Sequence, residues 1–586
     1  MLPQDVVREK RKLWTFATRI VETSSPCKPT QRADRIVALK DCREEKIMPP
    51  IKLTRCSMLV ALALVISISA AANAQSKLGN VSFPTSGGEK AQLHFLRGLA
   101  ALHSFWFEEA LDEFRQSTAA EPGFVMGYWG EAMAYNHPLW AEQDTESARK
   151  TLEKIKDTSR LTPRERAYVD AVRALYAAGD KLPRDKAYSI AMEKVYRAYP
   201  DDLEAACFYA LSLLGTVRPG DKGYRRQALA GAIALNVYQK NPDHPGAAHY
   251  IIHAFDDPEH AILALPAARR YAEIAPEAHH ARHMPAHIFL QLGMWSEAAA
   301  SNESAWAVSD AWVKRKGLPL SARDYHSLHW LTYVYLQQGR YKKAEELLPM
   351  NRKDTAARYS PDVTAAVIVE TERWDLTSKY FPEGETEKGE IEGHASSHNA
   401  AAPMPPGQRS QSLPTFIRGL AAAKNGSPET ARFIAELQTA RKQQGDAYPA
   451  KGAEIKELEV SAALAAKKQQ YDEAIELMKR ATSIEEEMSP PSGPPSLIKP
   501  SHELFGEILL EANRPKEAAV QFGTALLRQP NRARSLLGAA RAAAKSGDTK
   551  TAVEAYSRLQ RQWNQADADL PELREAQDYL TQAGTK

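Results

Sequence analysis

The sequence predicts an all-α protein built from stacked pairs of helices. From Glu89 onward, small and apolar residues recur at spacings of three and four, which is typical of amphipathic helices. Short turns containing Gly, Asp or Pro interrupt these helices, and strand signals are nearly absent. At 586 residues the chain is too long for one hydrophobic core, so a repeat array or several domains must share the burial.

The segment 48–74 has the features of a secretory signal peptide. A basic start precedes an uncharged apolar run, which ends in the small residues Ala72-Asn73-Ala74. Because that run is shorter than the roughly 20 residues that cross a bilayer, we expect cleavage near Gln75 and no stable membrane span. Residues 1–47 then form an upstream or non-native extension, and we expect no ordered core before about Glu89. The predicted localisation is periplasmic or secreted.

Without residues 1–74 the chain is weakly acidic. That segment holds thirteen Lys or Arg and seven Asp or Glu, so 63 basic and 66 acidic residues remain and the formal net charge changes from +3 to −3. A nucleic-acid partner is therefore not expected. Three of the four cysteines also lie in that segment, and Cys207 alone cannot form an internal disulfide. We expect stability to come from helix packing.

The predicted helices form units that end at proline-containing turns. The first pair covers 93–105 and 108–120 and closes at Glu121-Pro122, because proline cannot continue a helix. Later units end in the same way, at Tyr199-Pro200-Asp201, Asn241-Pro242-Asp243, Ala275-Pro276 and Gln529-Pro530-Asn531. These recurring proline-containing turns predict a repeat array.

Within the units a turn recurs that links the sequence to a known repeat family. In this turn an aromatic or polar residue follows a glycine and precedes an alanine, as in Leu292-Gly293-Met294-Trp295-Ser296-Glu297-Ala298 and Gln338-Gly339-Arg340-Tyr341-Lys342-Lys343-Ala344. The pattern resembles the tetratricopeptide repeat, a helix–turn–helix unit of about 34 residues. The resemblance covers most of 89–565. It implies a right-handed superhelix whose first helices line a concave groove, where such arrays commonly bind a protein or peptide.

Two stretches interrupt the array. Residues 383–414 are rich in Gly, Pro, Ser and charged side chains, so they predict a mobile loop inside an irregular helical region at 353–415. This region divides an N-terminal array at 89–352 from a C-terminal array at 416–586. The proline-rich stretch 489–495 predicts an extended segment across the surface.

Histidines concentrate in the middle of the chain, where ten of the sixteen lie between residues 244 and 329. His249 and His253 form one HxxxH pair, and His283 and His287 form a second pair 34 residues later. In a helix each pair lies on one face, and neighbouring helices pack about 8–10 Å apart. We therefore expect the four imidazoles to converge on one metal site or two adjacent ones.

Other histidines extend the pattern. We expect His326 or His329 to complete the coordination, and His280 to lie at the entry of a kinked helix beside it. His103 and His137, again 34 residues apart, are expected to reach the cluster from the opposite wall of the groove. The alternative explanation of this periodicity is a packing motif shared by duplicated repeats.

The type of ligand predicts copper or zinc, possibly as a dinuclear centre. Imidazole suits these metals, and the scarcity of nearby carboxylates argues against magnesium, calcium and manganese. Asp256, Asp257 and Asp324 are expected to orient imidazoles rather than bind metal. In ligand type alone, the histidines resemble the dinuclear copper sites of tyrosinase-like proteins.

The predicted function is metal binding in an exported protein, with oxidase- or oxygenase-like chemistry on a small apolar or aromatic substrate in the groove. The chain has no HExxH, Gly-x-Ser-x-Gly or Walker-type motif, so the sequence gives no sign of zinc proteolysis, serine hydrolysis or nucleotide binding. A peptide-binding scaffold and a metal storage or delivery protein are the alternatives.

Overall fold

The computed structural model describes residues 77–584, except 219, 222, 354–360, 384–411, 445–447 and 496. In this part of the chain the protein is an all-α solenoid of paired helices. The predicted extension, the predicted signal peptide and nearly all of the predicted loop lie outside the described residues. None of the described helices is long and apolar enough to cross a membrane.

The N-terminal array carries the candidate metal ligands. Its helices are α1 (Glu89–His103), α2 (Phe107–Ala120), α3 (Val125–Ala134), α4 (Thr145–Leu152), α5 (Pro163–Leu175), α6 (Lys181–Ala198), α7 (Leu203–Leu214), α8 (Arg225–Lys240), α9 (Pro245–Ala254), α10 (Ala261–Ile274), α11 (His279–His283), α12 (Pro285–Gln291), α13 (Trp295–Lys316), α14 (Tyr325–Gln337) and α15 (Tyr341–Lys353). A short antiparallel hairpin that the sequence did not indicate follows α3, with strands β1 (Asn136–His137) and β2 (Glu142–Gln143).

Two helices lie in the region 353–415, α16 (Pro361–Thr371) and α17 (Thr377–Tyr380). The helices of the C-terminal array follow, and they are α18 (Ser412–Lys424), α19 (Thr430–Gln444), α20 (Tyr448–Lys467), α21 (Tyr471–Glu487), α22 (Ser501–Glu511), α23 (Pro515–Arg528), α24 (Ala533–Ser546), α25 (Thr549–Gln562) and α26 (Pro571–Gly584). Single turns of 3-10 helix lie at Leu320–Ala322 and Trp374–Leu376. Helix α18 begins just before the predicted end of the loop.

Local sequence sets several of these helix ends. Gly293 and Gly339 have φ angles of 66° and 68°, a left-handed conformation that costs other residues about 1–2 kcal/mol. Thr162 and Glu165 cap each other's backbone at the start of α5. Pro285 begins α12, so the second HxxxH pair is divided between two short helices.

Aromatic side chains fill the space between the first helices of the opening repeats. The Phe83 ring lies 5.2 Å from Phe95 of α1, 5.7 Å from Trp129 of α3 and 4.8 Å from Tyr168 of α5, measured between centroids. Helix α1 also packs against α9, so helices from distant repeats contact each other. In these repeats a packed core therefore occupies the space that the tetratricopeptide resemblance assigned to an open groove.

An extended strap before α1 belongs to this core. Leu78 and Phe83 are 0% and 1% exposed, and the Ser82 amide donates to Glu204 Oε1 at 3.1 Å. The expectation of no ordered core before Glu89 is wrong. The strap has no periodic pattern to reveal it, because its packing depends on side chains far away in sequence.

The end of the C-terminal array packs against the middle of the chain. Trp295 Nε1 donates to the Asn531 carbonyl at 2.9 Å, and Gln337 Oε1 accepts the Ala533 amide at 2.9 Å. Gly339 faces Trp563 so closely that a Cβ atom would lie 3.1 Å from the indole. The two arrays, which the sequence predicted to be separated by the loop, thus form one packed unit.

Candidate metal centre

Three groups of possible metal ligands occur among the described residues, each with its ligand atoms within 4.8 Å of one another. We name them triad A (His249, His253 and His280), triad B (His283, His287 and His326) and the Glu204 group (His103, Glu204 and His244). The two predicted HxxxH pairs supply two members of each triad. The third member comes from α11 in triad A and from α14 in triad B.

Triad A joins α9 to α11. His249 and His253 are one turn apart on α9, and their Nε2 atoms lie 3.0 Å apart. His249 Nδ1 donates to the His103 carbonyl at 2.7 Å. His280 is 7% exposed, and its Nε2 has no hydrogen-bond partner. A buried imidazole nitrogen without a partner is costly unless something else binds it.

Triad B joins α11, α12 and α14. The Nε2 atoms of His283 and His287 lie 3.1 Å apart, although Pro285 interrupts the helix between them. The His326 ring lies 4.5 Å from His283 between centroids. His287 Nδ1 bonds Asp256 Oδ2 at 2.6 Å, an arrangement that orients metal-bound imidazoles in many proteins.

The hydrogen bonds at Nδ1 determine where the lone pairs point. The acceptor for His249 is a carbonyl, and the acceptor for His283 is Asn302 Oδ1 at 2.7 Å, whose amide nitrogen donates elsewhere. Both Nδ1 atoms must therefore carry hydrogen. Burial lowers the pKa of His249 to about 3 and also lowers the pKa of His283, so both rings are neutral. Their Nε2 lone pairs consequently face a neighbouring imidazole.

This arrangement suits a bound metal ion. Two nitrogens that bind one tetrahedral zinc at about 2.0–2.1 Å lie roughly 3.3 Å apart, close to the separation within each pair. Without metal, each pair can instead share one hydrogen, with His253 or His287 as the donor. The geometry therefore supports two adjacent three-histidine sites. Ring centroids of His253 and His287, which belong to different triads, are 5.8 Å apart.

Aromatic rings cover both triads. Phe105 lies 4.3 Å from His249, 5.8 Å from His253 and 5.7 Å from His280 between centroids, and it is 5% exposed. Trp330 lies 4.1 Å from His287 in triad B. These apolar rings limit the access of water, which strengthens electrostatic interactions at the sites.

The Glu204 group differs because its nitrogens already carry hydrogens directed at the carboxylate. Burial would raise the pKa of Glu204, but His244 and His103 outweigh it and hold that pKa well below its ordinary value. His103 Nε2 donates to Glu204 at 2.6 Å, and His103 Nδ1 accepts from Tyr250 at 2.9 Å. His244 Nδ1 accepts the Ala247 amide, which leaves Nε2–H for Glu204. The group is a satisfied hydrogen-bond network.

His103 thus has a role other than the predicted reach across a groove. Its side chain bonds Glu204, and its carbonyl orients His249 of triad A. Sequence reasoning missed Glu204 and His244 as neighbours of His103. Glu204 follows His103 by 101 residues, and no motif around Glu204 in the sequence signals the contact.

We predict that Glu204→Gln destabilises the fold without removing metal. An amide offers one acceptor oxygen where the carboxylate offered two, so one imidazole N–H would face an NH₂ group. The expected cost is about 1–3 kcal/mol in the free energy of unfolding, measured by denaturant titration. The exposed Glu193→Gln serves as control and should change stability by less than about 0.5 kcal/mol. Loss of bound metal in Glu204→Gln alone would instead assign a metal to this group.

Two predicted ligands lie outside all three groups. His137 is in strand β1, where its ring stacks 4.0 Å from Phe107 and its Nδ1 is 3.7 Å from Glu142. His329 is half-buried on α14, three residues after His326. Because His329 lies almost one helical turn beyond His326, only His326 reaches triad B.

Each of the three aspartates bonds a histidine, but only one of these histidines is a candidate metal ligand. Asp256 bonds His287 of triad B. Asp257 bonds His260 at 2.9 Å, and Asp324 bonds His279 at 3.2 Å, and neither histidine belongs to a triad.

A cavity of about 700 Å³ lies beside the triads. His253 of triad A and Asp256, the partner of triad B, both line it, together with Tyr224 and Tyr448. The proline-rich segment 489–495 forms part of its wall, and the carbonyl of Pro491 in this segment accepts a hydrogen bond from Gln291 at 2.8 Å. The cavity therefore reaches triad A at His253 and approaches triad B at Asp256, the partner of His287.

The chain is similar to solved structures of other helical proteins. No family model and no curated protein matches the chain. Among solved structures it is similar to the P58(IPK) TPR domain, at 15% identity and a TM-score of 0.19, over 66% of this chain and 100% of that one. It is also similar to yeast Tom70, at 10% identity and a TM-score of 0.22, over 85% of this chain and 88% of that one. The paired helices of the structure, and not these similarities, establish the fold.

Proposed function

We propose that this helical-repeat protein binds two transition-metal ions, one in each triad. The observation that carries the proposal is the pair of Nδ1 hydrogen bonds from His249 and His283, which direct Nε2 lone pairs at neighbouring imidazoles. A cation would bind these oriented lone pairs in place of the hydrogen that each pair shares in the empty protein. The unsatisfied Nε2 of buried His280 supports the same proposal.

Copper and zinc are the metals that fit this donor set. All six ligand atoms of the triads come from imidazoles, and hard cations such as magnesium and calcium prefer oxygen ligands. The carboxylate of Asp256 supports an imidazole instead of competing for the metal.

An oxidase- or oxygenase-like activity is the catalytic form of this proposal. The cavity beside His253 would admit a small substrate, and apolar side chains such as Leu139, Leu214 and Val217 line part of it. A metal in triad A with an open position toward the cavity would activate oxygen or water there. Export to the periplasm or the exterior belongs to the proposal on the strength of segment 48–74. Metal storage or delivery would use the same triads without a substrate.

Metal content tests the proposal directly. Untagged protein grown with copper and zinc should contain about two metal ions per chain by mass spectrometry of the elements. Metal-free protein should regain them, and at a metal concentration of 1,000 times Kd its stability should rise by about 4 kcal/mol per site. A folded protein that neither retains nor regains metal would refute the proposal.

Binding of a protein or peptide is the second candidate, favoured by the repeat architecture itself. Helical arrays present extended surfaces whose size suits polypeptides, and the cavity combines tyrosines with the charged Arg218 and Lys456. If this function is correct, metal-free protein should bind a peptide ligand, and Tyr448→Ala should weaken that binding. If removing the metal abolishes peptide binding, peptide binding depends on the metal and the two functions are one.

A further inference from the structure

The surroundings of the two triads differ in charge. In triad A the hydrogen bond that orients His249 ends on a neutral carbonyl, and the neighbouring charges that act on His280 are those of other imidazoles. In triad B the bond that orients His287 ends on the Asp256 carboxyl group at 2.6 Å. Triad B is therefore the site with a carboxyl group bonded directly to one of its ligands.

A second carboxylate acts on triad B. Asp324 interacts electrostatically with His283 and His326, and it is hydrogen-bonded to His279 at 3.2 Å. Its side chain is 8% exposed, so solvent screens it weakly. Asp256, with 5% side-chain exposure, is similarly enclosed. Triad B thus has two carboxyl groups beside its ligands, of which Asp324 is the carboxylate, while burial raises the pKa of Asp256 well above its ordinary value.

The cost of burying a cation rises with the square of its charge. A divalent ion in a site of three neutral imidazoles thus has about four times the Born desolvation cost of a monovalent ion of equal size. Carboxylates beside the ligands reduce that cost, as at triad B. The Phe105 ring, in contact with all three imidazoles of triad A, supplies no charge and no fourth ligand. A monovalent ion such as Cu(I) needs less compensating charge than a divalent ion, so it fits the uncharged surroundings of triad A better.

We infer that the triads hold ions of different charge: triad A selects Cu(I), and triad B selects a divalent ion such as Zn²⁺. The inference rests on the proposed metal-binding function and refines it. The assignment makes the chain a mixed-metal protein, in which the copper and the divalent ion have separate ligands and these ligands have separate hydrogen-bond partners. It also places the redox-active ion beside His253, where the cavity reaches triad A.

Competitive loading of the metal-free full-length chain tests this assignment. One equivalent each of Cu(I) and Zn²⁺ is supplied without oxygen, and bound metal is measured against bicinchoninate for copper and a zinc indicator for zinc. His280→Ala should lose the bound Cu(I) and keep zinc, while His326→Ala should do the reverse. The control His94→Ala, a half-buried histidine paired with Glu113, should keep both ions.

A substitution at Asp256 tests the effect of the carboxyl group separately. Asp256→Asn should weaken zinc binding 10- to 100-fold and change Cu(I) affinity less than about threefold. X-ray absorption of the wild-type protein, which needs no variant to fold, should show copper with three nitrogen neighbours. Equal loading of both ions at both triads, or a larger effect of Asp256→Asn on Cu(I) than on zinc, would overturn the inference and leave metal binding intact. A wild-type protein that binds neither ion would overturn the proposed function itself.

Discussion

Replacing His253 and His287 together with alanine is expected to remove nearly all bound metal and leave the helical content almost unchanged. Each histidine contributes one of only three imidazoles in its triad, so two ligands remain at each site. The helices that carry them, α9 and α12, are held by apolar residues such as Ile251 and Ile288, both 0% exposed. Because helix packing and ligand geometry use different side chains, the fold should survive the loss of metal.

Elemental analysis and circular dichroism of the double variant provide the measurement. In the wild-type protein, any zinc bound to the triads should have nitrogen neighbours at about 2.0–2.1 Å. His94→Ala provides the matched control, since His94 lies on α1 and bonds Glu113 instead of a triad. Undiminished metal in the double variant would remove both triads from consideration and return the periodic histidines to a packing role.

Replacing Arg532 with methionine is expected to produce the largest loss of stability. Arg532 is 0% exposed and bonds Glu503 at 2.7 Å, Glu370 at 2.5 Å and the Tyr333 hydroxyl at 3.0 Å. Methionine would leave two buried carboxyl groups without this cation. Removing one partner of a buried ion pair costs about 3–5 kcal/mol. Because Tyr333 lies on α14, the change should also loosen the contact between the two arrays.

Denaturant unfolding measures this loss, and hydrogen exchange in α14 reports the loosened contact. Arg541→Met is the control, because the Arg541–Glu575 pair is more than one-third exposed on both sides and should cost at most about 1 kcal/mol. Equal effects of the two substitutions would contradict the assignment of Arg532 as the link between arrays.

The same cluster predicts a dependence on pH. Burial would raise the pKa of Glu503, but Arg532 and Lys499 outweigh it and hold that pKa below its ordinary value. A carboxyl group with a lowered pKa in the folded state stabilises the protein above its ordinary pKa. That stabilisation is lost as the pH falls through the folded-state pKa. The wild-type protein should therefore lose more stability in acid than Arg532→Met does.

The triads show which histidine contacts the repeat periodicity can predict and which it cannot. The HxxxH spacing placed His249 beside His253 and His283 beside His287, since residues four apart share one face of a helix. That relation survived even at Pro285, because Met284 between the two short helices keeps helical backbone angles. It did not predict that His280 would join the preceding pair and that His326 rather than His329 would join the following one.

The sequence by itself determined the features that depend on neighbours along the chain. These are the amphipathic helices, the turn at Gly293 with its positive φ, and the two histidine pairs. Each follows from contacts within about one turn of helix or from the special conformations of glycine and proline.

Only the tertiary structure decided which distant groups meet. The Phe83 strap filled the space between first helices, Glu204 met His103 from 101 residues away, and Asp256 rather than Asp324 bonded a triad histidine. The packing of the C-terminal array against α14 could not be predicted from the sequence either. The small rotation between successive repeats accumulates along the chain, and no local sequence pattern records it. Long-range packing of this kind selects the third histidine and the charged groups around each triad.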